Sequence, residues 1–245
     1  MIGSLEWWGG AMVVVVATVL QSITGFGFAL IAVPLFLFFF DAHTAVALNI
    51  MISFPSLVLL SLQVKEDILK PTVKTLFLGS LIGLLPGVVL FLNFDMFGLK
   101  MIISGVCLLF AGLLLANIAP RGITGPKAET LVGAVSGFLC GSVGMPGPPI
   151  VLFFNQQDMP KDKFRATTAA YFALIYPSTL IVMAATGAIS PKTLYLALTL
   201  FPFTFVGKNL GFRLFPMVSQ QQFQKGVPVV VILAAVYVLM SQLRL

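Results

Sequence analysis

The chain contains 245 residues, of which 59% are hydrophobic and 9% are charged, and its formal net charge is +6. This composition leaves too little polar surface to cover a soluble globule, which excludes soluble enzymes and soluble binding modules. The basic residues lie between apolar runs, and this placement indicates orientation in a membrane rather than nucleic-acid binding. We therefore expect an all-α polytopic membrane protein.

Eight apolar blocks follow one another along the chain. A helix needs about 20 residues to cross ~30 Å of hydrocarbon. The blocks cover residues 7–40, 42–63, 72–93, 99–117, 130–154, 164–187, 193–217 and 223–242. The connections between them are short, so we expect a single transmembrane domain over residues 1–245 and no soluble domain.

Two of these blocks are interrupted by glycine, proline and polar residues. The stronger break covers residues 141–149 (GSVGMPGPP), and a milder one covers residues 21–27 (QSITGFG). Unpaired backbone groups are costly in lipid, so such a break is tolerated only where it is buried in protein or lines a cavity. Two interrupted helices at matching positions indicate the binding site of a transporter.

The two breaks belong to an internal repeat. Gly25 corresponds to Gly144 at a spacing of 119 residues, and Gly83 corresponds to Gly207 at a spacing of 124. We therefore predict a first repeat at about residues 1–117, a linker at about 118–129 that is rich in Pro and Gly, and a second repeat at about 130–245. Each repeat is expected to be a broken or re-entrant helical block followed by three transmembrane helices.

The Lys and Arg residues predict how the repeats are oriented. If every block crosses the membrane once, the 14 Lys and Arg divide evenly between the two sides. If each broken block makes an even number of crossings, 11 fall on one side, against Lys100, Lys192 and Arg244 on the other. Because a Lys/Arg excess marks the cytoplasmic side, this arrangement predicts inverted repeats with both termini periplasmic or extracellular.

The broken blocks are the predicted substrate site. A helix that begins inside the membrane presents unpaired N–H groups and the positive end of its dipole, and such ends bind anions. Glycines allow a ligand to approach the backbone, and nearby polar side chains supply donors. The candidate substrate-binding residues are Gln21, Ser22, Thr24, Gly25, Gly27, Asn49, Gly141, Ser142, Gly144, Gly147, Thr168, Tyr171 and Lys208.

Some of these residues have a structural alternative. The glycines could instead permit close packing of helices, as small residues do in membranes. Lys208 is an ionisable residue inside an apolar block and hence a functional candidate, but its long side chain could equally extend to the headgroups.

Several kinds of chemistry lack the residues that they need. All eight carboxylates lie at block edges or in connections, so a proton relay through the membrane is not expected. There is no Walker motif, no HExxH motif and no Cys/His cluster in the sequence, so we expect no enzyme, no ATP use, no metal and no cofactor. Two alternatives to anion export stay open: ion-coupled uptake of the same anions, and a membrane enzyme or assembly factor that does not transport.

The two broken motifs, residues 21–35 and 137–152, resemble those of the TauE/SafE family of sulfite and organosulfonate exporters. The resemblance extends over most of the chain. It implies transport of sulfite, a sulfonate such as sulfoacetate, or a related small organic anion across a bacterial inner membrane. From the residues and the resemblance together, we expect the substrate to be a sulfite, sulfonate or carboxylate anion that is exported. The chain departs from the family pattern where residues 145–149 crowd three prolines into the break, so the preferred anion is left open. The oligomeric state is also left open by the sequence.

Overall fold

The structure, a computed structural model, describes residues 3–115, 124–155, 157, 159–214, 236 and 240. All regular elements in this part of the chain are helical. The helices are α1 (Leu5–Thr24), α2 (Phe28–Phe36), α3 (Ala42–Gln63), α4 (Lys70–Asn93), α5 (Met96–Leu115), α6 (Pro126–Val143), α7 (Gly147–Asn155), α8 (Lys161–Ala185), α9 (Pro191–Leu200) and α10 (Phe203–Leu214), with a 3-10 turn at Lys65–Asp67. Most of the eighth predicted block, residues 223–242, and the first half of the predicted linker, residues 118–123, lie outside the described residues.

Four helices are long and apolar enough to cross a membrane: Leu5–Ile23, Ala42–Gln63, Lys70–Asn93 and Lys161–Ala185. Their outer faces carry large exposed apolar side chains such as Ile82 and Ile181. Such a surface would be unstable in water but suits lipid. The chain is therefore a multi-pass α-helical membrane protein, as the composition predicted.

Each broken block forms one long helix followed by one short, buried helix. In the first block, α1 ends at Gly25 and α2 begins after Gly27, and both glycines adopt the left-handed conformation, with φ of 78° and 94°. In the second, α6 ends at Gly144, with φ of 71°. We call residues 25–27 the first tip and residues 144–146 the second tip.

The second break is shorter than the sequence suggested. The predicted break began at Gly141, but α6 continues to Val143, and Pro148 and Pro149 lie in the first turn of α7. Proline is tolerated there because the first N–H groups of a helix have no intrahelical acceptor. Only residues 144–146 separate the two helices.

The chain reverses direction at each tip. Near the start of α1, Gly9 contacts the ring of Phe39, and a Cβ on Gly10 would lie 3.0 Å from Phe40 Cζ. The end of the first broken block therefore returns to its beginning. At the second tip, the Ser136 hydroxyl on α6 donates to the carbonyl oxygen of Pro146 at 2.6 Å, so the chain has folded back on α6.

Glycine faces bring two pairs of helices into close backbone contact. On α4, Gly79, Gly83 and Gly87 contact the backbone of Thr130, Ala134 and Phe138 on α6, in the same order along both helices. On α10, Gly207 and Gly211 contact Val15 and Val19 of α1, also in the same order. Both pairs are therefore parallel, and their small residues allow backbone approach in the way typical of membrane helices.

Two cross-contacts define the ends of the helix bundle. His43 Nε2 lies 3.1 Å from the carbonyl oxygen of Phe91, so α3 begins where α4 ends. The Leu69 N–H donates to Thr167 Oγ1 at 3.1 Å, so α8 begins beside the α3–α4 connection. We call the first the Asp41 end and the second the Lys65 end.

Candidate functional site

A small cavity lies between the two tips. Its lining comes from both broken blocks and from α8: Gln21, Phe26, Gly27, Phe28, Ala29, Leu30, Gly147, Pro148, Phe172 and Tyr176. Its volume of about 10 Å³ is close to the minimum that holds one water molecule. The structure thus brings together three of the predicted site residues, Gln21, Gly27 and Gly147.

The first turn of α2 forms one wall of this cavity. Phe28, Ala29 and Leu30 open the helix, and the preceding Gly27 provides no side-chain cap. The N–H groups of a first helical turn have no intrahelical acceptor, and the helix dipole places partial positive charge there. This wall is therefore suited to a negatively charged or carbonyl-like ligand.

The first turn of α7 faces the same cavity but offers fewer donors. Gly147, Pro148 and Pro149 are its first three residues. Proline has no backbone N–H, so two of the groups that would otherwise be available are missing. Gly147 and Pro148 line the cavity, yet the N–H donors that can meet a ligand there come mainly from α2.

Gln21 is the polar side chain at the α1 wall. It is 3% exposed, and its Oε1 has no hydrogen-bond partner among the described residues. A buried amide oxygen without a partner costs free energy unless a ligand or water satisfies it. Rotation of the amide by 180° would instead present its two N–H donors, since the two assignments are nearly indistinguishable.

Aromatic residues close the cavity, and sequence reasoning did not select most of them. The rings of Phe172 and Tyr176 are stacked, with centroids 5.8 Å apart. Phe26 at the first tip packs edge-on against Phe164, with centroids 5.5 Å apart. The spacing of four residues between Phe172 and Tyr176 was the available signal, because it places both rings on one face of α8.

At the first tip, backbone packing is tight. A Cβ on Gly25 would lie 2.6 Å from the carbonyl oxygen of Arg165. Ser22 faces α10, where a Cβ on Gly211 would lie 2.7 Å from the Ser22 Cβ. Thr24 is the last residue of α1, and its side chain lies outside the described part.

At the second tip, Asn49 of α3 holds the backbone. Its Nδ2 donates to the carbonyl oxygen of Gly144 at 2.7 Å, and its Oδ1 has no hydrogen-bond partner among the described residues.

Tyr171 supports the same tip from α8. Its hydroxyl donates to Ser136 Oγ at 2.9 Å, and Ser136 in turn donates to the carbonyl oxygen of Pro146. This chain of hydrogen bonds fixes the position of the second tip and satisfies three buried polar groups at once.

Ten of the thirteen predicted site residues are not among the described residues that line the cavity: the six just described at the tips and four others. Gly141 packs against α4, where its Cβ would lie 2.6 Å from the carbonyl oxygen of Leu84. Ser142 and Thr168 donate to carbonyl oxygens of their own helices, Phe138 and Phe164, each at 2.7 Å. Lys208 lies on α10 with Nζ 5.7 Å from the centre of the Phe212 ring.

The family model described as sulfite exporter TauE/SafE matches residues 10–238. The chain belongs to this family. The match includes both tips and every helix that lines the cavity. No curated protein and no solved structure matches the chain. TauE/SafE is a transporter family, so membership indicates a small anion as substrate and a membrane as the setting.

Proposed function

We propose that this TauE/SafE protein is a secondary transporter that exports a small anion, such as sulfite or an organosulfonate, by alternating access through the cavity between the two tips. The observation that carries the proposal is the position of the cavity at the first turn of α2, beside the buried Gln21 amide.

The chemistry of the cavity favours an anion. Its described lining residues include no Asp or Glu, so no carboxylate there would repel a negative charge or attract a metal. A buried anion is tolerated only when hydrogen bonds replace its lost hydration. The N–H groups of α2 and the amide of Gln21 can supply such bonds, while Phe26, Phe172 and Tyr176 exclude water.

The small volume of the cavity supports a mechanism with a conformational change. A site of about 10 Å³ has room for about one water and is too small for a tetrahedral or pyramidal oxyanion. The two tips would have to separate for sulfite to enter. We infer that the structure represents a closed form and that opening toward either side occurs by motion of one tip against the other.

Each tip contacts a helix of the other half of the chain, and this supports the proposal of inverted repeats. The first tip contacts Arg165 of α8, and the second tip contacts Val46 of α3. Gly25 and Gly144 are 119 residues apart, and so are Val46 and Arg165. Each tip is therefore held by the equivalent position of the other repeat. The glycine contacts follow the same rule, because α4 of the first half packs on α6 of the second half and α10 of the second half packs on α1 of the first.

The directions of the helices support inversion of the repeats. α3 runs from the Asp41 end to the Lys65 end, and α4 returns. Because α6 is parallel to α4, it runs toward the Asp41 end, whereas α1 begins beside Phe39 and Phe40 at the Asp41 end and runs away from it. α1 and α6 then have opposite directions, as inverted repeats require.

Charge supports the orientation. The described Lys and Arg residues at or near the Lys65 end are Lys65, Lys70, Lys74, Lys127, Lys161, Lys163, Arg165, Lys208 and Arg213, whereas Lys100 and Lys192 lie toward the other end. We propose that the Lys65 end is cytoplasmic and that the N-terminus is periplasmic. A negative-inside potential then drives an anion outward, by about 2.3 kcal/mol per charge per 100 mV.

Transport by the purified protein tests the proposed function. Proteoliposomes would be given sulfite, thiosulfate, sulfoacetate, taurine and a carboxylate at imposed membrane potentials. We expect sulfite or a sulfonate to move, at a rate that increases when the potential drives the anion. If transport requires an inward ion gradient, the protein is a coupled uptake carrier and not an exporter. If no anion of the panel is transported, a protein that does not transport is favoured.

A further inference from the structure

Two cationic side chains on different helices contact the same aromatic ring. The guanidinium carbon of Arg165 on α8 lies 5.3 Å from the centroid of the Phe212 ring, and Lys208 Nζ on α10 lies 5.7 Å from it. Arg165 is 8% exposed, and Lys208 is partly exposed. The ring therefore links a buried positive charge to one nearer the surface.

This pair lies beside the first tip, outside the cavity. The Arg165 backbone packs on Gly25, where a Cβ would lie 3.0 Å from the Arg165 Cγ as well as close to its carbonyl oxygen. Ser22, one turn before the tip, packs on Gly211, the neighbour of Phe212. Neither Arg165 nor Lys208 lines the cavity between the tips. The positive charges are thus placed between the Lys65 end and the cavity.

Among the described residues, the position at the second tip that corresponds to Arg165 carries no charge. There the corresponding contact is made by Val46, whose Cγ1 would lie 3.2 Å from a Cβ on Gly144. An apolar residue is evidently sufficient to pack against a tip. Arg165 is the fifth residue of α8, near the Lys65 end, and burial of a charged side chain is costly even there. Packing alone therefore does not explain why the first tip carries Arg165.

We propose that Arg165 and Lys208 form a second anion-binding site at the Lys65 end, which captures a small oxyanion such as sulfite before it enters the cavity. This inference rests on the proposed function. A guanidinium binds two oxygens of an oxyanion through parallel N–H donors, and the lysine adds a second positive charge. The Asp162 carboxylate, one turn earlier on α8, is exposed. Because Val46 at the second tip carries no charge, we expect capture of the anion only at the Lys65 end.

Membrane vesicles of opposite orientation test this site with sulfite as the probe. Arg165→Gln should raise the half-saturating sulfite concentration about tenfold or more when sulfite is offered at the Lys65 end, because it removes a charged hydrogen-bond donor. The maximal rate and the half-saturation from the Asp41 end should change less than about twofold. Lys208→Gln should give a smaller shift, and Arg165→Lys should restore part of the wild-type value.

Arg213→Gln is the matched control, because Arg213 is an exposed cation on the same helix as Lys208. It should leave both half-saturation values unchanged. Equal half-saturation for wild type and Arg165→Gln at the Lys65 end would overturn the second site while leaving the proposed function intact. Failure of wild-type vesicles to move sulfite, thiosulfate or sulfoacetate would overturn both. If Arg165→Gln does not fold, the half-saturating sulfite concentrations of Arg165→Lys and Lys208→Gln test the site instead. Wild-type values for both variants at the Lys65 end would contradict the proposal.

Discussion

Asn49 and Gly144 are joined by a hydrogen bond of 2.7 Å that connects α3 of the first half to the second tip. Asn49 is fully buried, and the acceptor is a backbone carbonyl that no helix can satisfy, because α6 ends there. We infer that this bond holds the second tip in the closed form and that it must be kept or exchanged when the tip moves.

Asn49→Ala should destabilise the fold by about 1–3 kcal/mol, because it leaves the buried carbonyl oxygen of Gly144 without a donor. Unfolding by a denaturing detergent, followed by circular dichroism, measures the effect. Asn93→Ala is the matched control, since the exposed Asn93 side chain bonds only Val89 of its own helix. If Asn49→Ala lowers the free energy of unfolding no more than Asn93→Ala does, the bond from Asn49 to Gly144 does not stabilise the second tip.

The glycine face of α4 should not accept a methyl group. At Gly83, an added Cβ would collide with the carbonyl oxygen of Ala134. Gly83→Ala should therefore force α4 and α6 apart and cost about 1–3 kcal/mol, as overpacking does. At Gly105 on α5, nothing lies within 4 Å of an added Cβ, so Gly105→Ala should be neutral or slightly stabilising. Thermal unfolding of the two variants side by side measures the difference, and equal midpoints would show that the glycine contact is not tight.

Asp41 should make the start of α3 sensitive to acid. Burial alone would raise the pKa of Asp41. Hydrogen bonds from the Thr44 N–H and hydroxyl, together with the nearby His43, lower this pKa by more than burial raises it, so the net pKa lies below the usual value. A depressed folded-state pKa contributes stability above the unfolded value of about 3.9, and this contribution is lost as the pH falls through the folded value.

Asp41→Ala should accordingly cost about 0.5–2 kcal/mol at pH 7, as the loss of a helix cap does. The difference from wild type should shrink as the pH falls below about 4. Unfolding midpoints measured across this pH range provide the test, with Glu66→Ala in the exposed 3-10 turn as control. A difference that stays constant through acid pH would mean that the Asp41 charge does not stabilise the helix.

Much of this architecture could be predicted from the sequence because lipid imposes strong constraints. The apolar blocks, the breaks at Gly25 and Gly144 and the membrane setting all follow from the cost of unpaired backbone groups in hydrocarbon. The break between α9 and α10 at Phe201 and Pro202 was not predicted. It lies in an apolar block of ordinary length, and a single proline does not reveal whether a helix bends or ends.

The candidate site was predicted less completely, because glycine has two uses that a sequence does not separate. Gly27 and Gly147 line the cavity, whereas Gly141 serves helix packing against α4. All three stand in the same two motifs. Phe172 of the aromatic wall was not selected as part of the site, since an aromatic residue in a membrane helix can face either lipid or a cavity. Which one it faces depends on tertiary packing.

Passage of the anion through the cavity between the two tips is tested most directly by a substitution whose side chain fills that cavity. At Gly147, an added Cβ would lie 3.7 Å from Phe172 Cζ and 4.0 Å from Phe26 Cδ2, which are ordinary contacts, and the backbone conformation does not require glycine. Gly147→Ala should therefore fold and fill the cavity of about 10 Å³, whereas the larger side chain of Gly147→Leu exceeds this volume, displaces the aromatic wall and blocks the path of the anion.

Sulfite efflux from proteoliposomes would be measured for Gly147→Leu, for Gly147→Ala and for Gly105→Leu, whose side chain has open space around it. We expect a rate reduced at least about a hundredfold for Gly147→Leu, equivalent to about 2.7 kcal/mol, an intermediate rate for Gly147→Ala, and a wild-type rate for Gly105→Leu. A folded Gly147→Leu protein that exports sulfite at the wild-type rate would contradict passage of the anion through this cavity.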